Sequence, residues 1–174
     1  MAAGLAVLGG VSGCRGSDGD APLAAGALEP NAVVERVVDG DTLDVEIGSR
    51  SVRVRLIGID TPEIAHEAFG DRPANETECY GDEAHEFTRS LLPERTAVRL
   101  ERDVVGRDDY GRVLAYVHRA SDGIFVNFEL VRHGYAQPLT IPPNVTHAEL
   151  MVDAAREAER DDVGLWAGCA GRPA

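Results

Sequence analysis

The stretch VVDGDTLDVEIGSRSVRVRLIGID, residues 37–60, decides the fold. Leu43, Val45 and Ile47 alternate with Asp44 and Glu46, the period of a half-buried strand. Gly48-Ser49-Arg50-Ser51 reads as a turn. Alternation resumes at Val52 and becomes continuously apolar toward Ile59. This predicts a hairpin of strands 42–47 and 52–59, the second ending deep in the fold. Residues 33–38 read as a preceding strand, and 97–102, 113–117 and 124–126 as later ones. Helical spacing covers 80–91 through Ala84, Phe87 and Leu91, and a short helix over 127–133 stops at Gly134. Over 147–160, Leu150, Met151, Ala154, Ala155 and Ala158 share one face. Gly164 and Trp166 close the domain. Short strands with interspersed helices give an α+β class, with a small barrel as the candidate architecture.

The 174 residues suffice for one domain and a tail. Hydrophobic residues make up 44%, enough for a core, but aromatics only 5%, so aliphatic side chains must fill it. The formal net charge is −13, from 30 acidic and 17 basic residues, and every basic residue is an arginine. That balance lacks the basic footprint common in nucleic-acid binders. It fits a protein working in concentrated salt, where self-repulsion is screened, and equally an acidic protein from an arginine-rich genome.

Residues 1–13 are uncharged and resemble the apolar part of a secretory leader, too short to span a membrane. Val11-Ser12-Gly13-Cys14 resembles a bacterial lipobox, which makes Cys14 a lipidation candidate and membrane anchoring through it an expectation. No Lys or Arg precedes the apolar stretch. Residues 1–14 are thus read as leader, 15–31 as a tether rich in Gly, Ala, Ser and Pro, and 32–170 as the domain. With Cys14 assigned to the leader, Cys79 and Cys169 remain as a disulfide pair in an oxidising compartment.

Three islands carry candidate chemistry: Asp39-Gly40-Asp41-Thr42, the run from Arg55 to Asp60-Thr61-Pro62-Glu63, and Asp109-Tyr110-Gly111-Arg112. A turn centred near Ser49 and Arg50 sets Asp41 opposite Gly58 or Ile59, so Asp41 and Asp60 emerge at one end of the sheet. Arg55 lies about 17 Å of strand back from Asp60, a gap that twist or a bulge must shorten. Convergent carboxylates with backbone carbonyls form a hard-oxygen site suited to Ca²⁺. Arginines facing them grip a phosphate, and Glu63 just past Pro62 is placed to orient or deprotonate water. Taken singly, each island reads more readily as a turn or loop start; together, in this order and on one hairpin, they read as a site.

VVDGDTLDV, VRLIGIDTPE and DDYGRVLAYV resemble the signature blocks of the staphylococcal nuclease family, in family order. Weaker likeness runs through YGDEAHEF, VNFELVRHGYA, PPNVTH and GLW, over residues 32–168. The resemblance implies a five-stranded OB-type barrel with three α-helices. It implies Ca²⁺ held by Asp41, Asp60 and the Thr61 carbonyl, with Asp39 in an outer role, and catalytic roles for Arg55, Glu63 and Arg112. Tyr110 matches a substrate-phosphate contact. The implied activity is cleavage of DNA and RNA with little sequence preference, leaving 3′-phosphate ends, by a monomer. Asp109 departs from the type enzyme's lysine, and Leu139-Thr140-Ile141 falls where that enzyme offers stacking tyrosines. The stretch 64–79 is also longer than in the type enzyme. A nucleic-acid-binding OB module without catalysis, carried on a surface lipoprotein, is the competing reading; the complete Arg55, Glu63 and Arg112 set argues against it.

Overall fold

The computed structural model describes residues 26–67 and 74–169. The expected leader with its candidate lipidation site Cys14, most of the tether and the last residues lie outside this range.

Five strands close a barrel in the order β1 (Ala32–Asp39), β2 (Thr42–Ile47), β3 (Arg50–Leu56), β6 (Val113–Arg119) and β5 (Ala97–Glu101), with β5 returning to β1. Neighbours are antiparallel except β3 and β6. A short outer pair joins β4 (Gly58–Asp60) to β7 (Gln137–Leu139). The helices are α1 (Gly81–Leu91), α2 (Val126–Arg132), α3 (Ala148–Arg160) and the single turn α4 (Leu165–Gly168). The α+β barrel expected from the sequence is therefore present, with α4 added to the expected helices.

Aliphatic side chains fill the barrel, as the low aromatic content requires: Val34, Leu43, Val45, Val54, Leu56, Val98, Ala115 and Val117 are buried together. Met151, Ala154, Ala155 and Ala158 bury the inner face of α3, but Leu150, expected on that face, is 42% exposed. Several aromatics instead pack outside the barrel, where Phe87 stacks on Tyr135 with ring centres 4.2 Å apart.

The hairpin register differs from the sequence expectation. Ile47 pairs with Arg50, so the turn is Gly48-Ser49 alone. Gly48, at φ 64°, supplies the left-handed residue that a two-residue hairpin favours. Thr42 then pairs with Arg55, and the Leu56 N–H donates to the Asp41 carbonyl at 2.9 Å. Asp41 thus opposes Leu56, not Gly58 or Ile59. The expected strand 52–59 is also two strands, because Gly58 takes φ 80° and turns the chain away from the barrel. The expected strand at 124–126 is a single bridge between Phe125 and His118, and Val126 already begins α2.

Contact with the barrel begins upstream of Ala32. Leu28 N–H donates to the Ala120 carbonyl at 2.8 Å, and the Asn31 side chain brackets Leu100 with bonds of 2.7 and 2.9 Å.

Cys79, just ahead of α1, is joined to Cys169, just after α4, with Cα atoms 5.9 Å apart across a sequence separation of 90. The bridge ties the end of the domain to the segment entering α1. Cys79→Ser is expected to lower unfolding stability by about 2–4 kcal/mol through the freed denatured chain. Urea titration of oxidised protein checks this; an unshifted midpoint would show that the bridge adds nothing to the folded domain.

Candidate active site

The turn between β1 and β2 brings Asp41 to the barrel rim. Gly40 makes this possible: a Cβ there would lie 2.6 Å from Thr61 Oγ1. The buried Thr88 hydroxyl of α1 donates to the Gly40 carbonyl at 2.7 Å and anchors the turn from behind. Asp41 is 5% exposed. Its Oδ2 accepts the Thr61 N–H at 3.1 Å and faces Arg55 Nη2 at 2.9 Å, while Oδ1 accepts the Thr42 hydroxyl at 3.1 Å.

The kink at Gly58 closes the distance that a straight strand would have kept between Arg55 and Asp60. Asp60 folds back so that Arg55 Nη2 reaches its Oδ1 at 2.6 Å. The same guanidinium donates through Nη1 to the carbonyls of Leu56 and Ile59. One arginine therefore fastens the corner and spans both carboxylates. Behind it, buried Asn127 of α2 donates to the Ile57 carbonyl at 2.8 Å and accepts the Val117 N–H at 2.9 Å. Sequence reasoning missed Thr88 and Asn127; the available signal was a polar residue where each helix needs a buried one.

Burial pushes the Asp41 carboxyl above the ordinary aspartate range; Arg55 and the Thr61 N–H pull it down without fully offsetting that cost, and Asp39 and Asp60 add repulsion. Asp60 is also raised, by burial first, with Glu78 and Asp39 adding to it against Arg55. The pair is thus short of positive charge even with Arg55 in place. Thr61 Oγ1, beside it, is buried with no hydrogen-bond partner among the described residues. An oxygen-only donor set, uncompensated negative charge and an orphaned buried hydroxyl all fit a hard cation. No group of three or more His, Cys, Asp or Glu suited to a metal occurs among the described residues, so such an ion would need carbonyl and water ligands as well.

Glu63 follows on the segment leading away from β4. Its N–H donates to Glu78 Oε2 at 3.1 Å, and its carbonyl accepts the Glu78 N–H at 2.9 Å. Gly81 packs so closely that a Cβ would clash with the Glu63 carbonyl. The segment is thereby held against the start of α1, next to the disulfide.

The third island is organised by Asp108, which the sequence reading did not single out. Its Oδ1 accepts the N–H groups of Arg112 at 2.8 Å and Tyr110 at 3.1 Å, and its Oδ2 accepts Arg112 Nε at 2.6 Å. Burial alone would raise this carboxyl, but these bonds outweigh it and hold it below the usual range. Tyr110 is 86% exposed, with the Arg112 guanidinium 5.5 Å from its ring centre. Asp39, Asp41, Arg55, Glu63, Tyr110 and Arg112 all line one open cleft of about 1030 Å³. Asp60 joins it through Arg55, so the islands singled out in the sequence meet.

The family model described as staphylococcal nuclease homologue matches residues 53–168. The chain belongs to the staphylococcal nuclease family. A thermonuclease from Staphylococcus intermedius is 36% identical over 152 residues, covering 86% of this chain and 85% of that protein. A second thermonuclease, from Staphylococcus hyicus, is 34% identical over 140 residues, covering 80% and 78%. Endonuclease YhcR of Bacillus subtilis (strain 168) is 31% identical over 150 residues, which is 83% of this chain but 12% of that much larger protein. As a member of the staphylococcal nuclease family, the chain is a hydrolase of the phosphodiester endonuclease class.

Proposed function

We propose that this enzyme is an exported, Ca²⁺-dependent endonuclease that cleaves DNA and RNA with little sequence preference. The observation that carries the reading is the common cleft, lined by Arg55, Arg112, Glu63, Asp39 and Asp41, with Arg55 spanning Asp41 and the adjoining Asp60. Asp41, Asp60 and the Thr61 carbonyl would hold the ion, with Asp39 in an outer role. Bound Ca²⁺ would supply charge to draw in and polarise a phosphate oxygen. Arg55 and Arg112 bind the phosphodiester and stabilise the negative charge that grows on its oxygens. Tyr110 contacts the same phosphate. Glu63 takes a proton from the attacking water, a new P–O bond forms, and the bond to the 5′ oxygen breaks, leaving a 3′-phosphate. The departing oxygen recovers a proton from solvent.

Export is supported by the disulfide and by the leader-like residues 1–14, which would anchor the protein if Cys14 is lipidated. No helix among the described residues is long and apolar enough to cross a membrane. The working unit is proposed as a monomer. Digestion of single- and double-stranded DNA and of RNA with Ca²⁺, with Mg²⁺ and with chelator tests the reading. Cleavage only with Ca²⁺ is expected; binding without cleavage under all conditions would favour the inactive OB module instead.

Salt provides a further expectation. A chain at −13 repels a polyanion at long range, whereas Arg55 and Arg112 act at contact distance. Near 1 M salt the repulsive field fades within about 3 Å. Activity should hold or rise toward molar NaCl, where a basic nuclease would lose affinity to counterion competition. A steady fall in activity and Tm from about 0.1 to 2 M would remove the salt-adaptation account of this composition.

A further inference from the structure

Past Arg55 and Arg112 the cleft continues into a side pocket of about 420 Å³ with two unlike walls. Leu139, Ile141 and Pro142 form an apolar shelf on one side, with Ile141 64% exposed. The other side is the turn carrying Arg107, Asp108, Asp109 and Arg112. Asn144 binds the two sides together, accepting the Val105 N–H at 2.8 Å and donating to the Val105 carbonyl at 3.0 Å.

Arg107 is the unexplained group on this wall. Its backbone is fixed by a bridge to Val113, and its Nη1 donates to the Gly111 carbonyl at 2.6 Å. The other guanidinium donors have no partner among the described residues, and no carboxylate there pairs with it. Its neighbours in the pocket are compensated: Arg55 by Asp41 and Asp60, Arg112 by Asp108. Some other arginines are paired too, as Arg89 is with Glu86 and Arg156 with Asp153; Arg50, Arg99 and Arg102 show no carboxylate partner among the described residues, but none of them lines this pocket. In a chain with 30 acidic residues, an arginine left without a carboxylate beside the proposed phosphate-binding pair is set for an external anion. Asp109, on the same wall, would repel a polyanion there, and Arg107 offsets it two residues away.

We infer that Arg107 is a further substrate-binding residue, contacting a second, non-scissile phosphate of the strand whose reacting phosphate sits at Arg55 and Arg112. This rests on the proposed nucleic-acid substrate. The guanidinium is aimed by the Gly111 carbonyl, so the contact is set by the same turn that carries Tyr110 and Arg112. It gives the acidic chain a grip on the strand that does not depend on long-range field.

The test is binding of a single-stranded phosphorothioate octanucleotide, charged but slow to hydrolyse, with Ca²⁺ over a range of NaCl concentrations. Arg107→Gln is expected to weaken binding about tenfold, as for a lost bond between charged groups. It should also make the slope of log K against log salt shallower by about 0.7, the value for one phosphate contact on a single strand. Arg156→Gln, on α3, should change neither. An unchanged slope in Arg107→Gln overturns the inference and leaves the nuclease reading intact. So does a loss that depends on which base is present, since Arg107 would then be reading a base. Failure of the parent protein to bind the strand at all overturns both.

Discussion

Arg55→Ala and Arg112→Ala should each lower kcat by at least about 100-fold, the effect of removing one preorganised donor from a charge that grows in the transition state. Their effects on stability should differ. Arg112 is a third exposed and has one carboxylate partner, Asp108, which keeps its bonds to the backbone N–H groups of Tyr110 and Arg112 after the substitution. Its loss should cost the fold little. Arg55 is 15% exposed and holds Asp41, Asp60 and the carbonyls of Leu56 and Ile59. Its removal leaves a buried carboxylate without its cation, which costs about 3 kcal/mol or more. Without Ca²⁺, Arg55→Ala should therefore melt well below the parent, and added Ca²⁺ should recover more of the lost Tm than in Arg112→Ala. Single-turnover cleavage and thermal melts on both variants make the comparison. Parental turnover in either variant would take that arginine out of the chemistry, and equal melting of both would mean that Arg55 does not hold the corner together.

The sequence made the barrel legible because its signal is local. Alternation in β2 and β3 is clear, and the burial of Leu43, Val45, Val54 and Leu56 follows it. The site islands were legible as clusters of charge next to glycine. Register was not, because Gly48-Ser49 and Ser49-Arg50 are both plausible turn centres, and only pairing across the sheet decides between them. The corner at Gly58 was hidden for a related reason. An apolar run through Leu56, Ile57 and Ile59 looks continuous, while the partner that captures Gly58–Asp60 is a three-residue strand containing Pro138. The Arg55–Asp60 contact depends on that corner, so strand arithmetic overestimated the distance. Asp108 acts through bonds hidden inside a turn, and Thr88 and Asn127 through bonds to backbone distant in sequence; a polar residue on the inner face of a helix marks that a buried partner is needed but not which one.

Asp41→Asn should separate the needs of the fold from those of the metal, with effects of opposite sign. Asp41 is buried, and its carboxyl is raised above the ordinary range because burial and the charges of Asp39 and Asp60 outweigh Arg55 and the Thr61 N–H. For an acid raised on folding, the native state binds more protons than the unfolded one between the two pKa values. Stability from this group therefore falls as pH rises from the unfolded value toward the folded one, and the penalty persists at neutral pH. Asparagine removes the charge, keeps an oxygen for the Thr61 N–H, and leaves Arg55 with Asp60 and two carbonyls. In chelator at neutral pH, Asp41→Asn should melt at or above the parent temperature. Its Ca²⁺ affinity should fall at least about 100-fold, beyond the 10–100-fold typical when only an outer partner of a metal ligand is lost. Ca²⁺ should accordingly raise the Tm of the parent and scarcely move the variant. Melting curves with chelator and with graded Ca²⁺, beside direct calcium titration, read both effects. If Asp41→Asn takes up Ca²⁺ like the parent, the ion is held elsewhere. If instead it melts several degrees lower in chelator, the Asp41–Arg55 pair stabilises the fold outright, and the negative charge at this rim is there for the barrel and not for a cation.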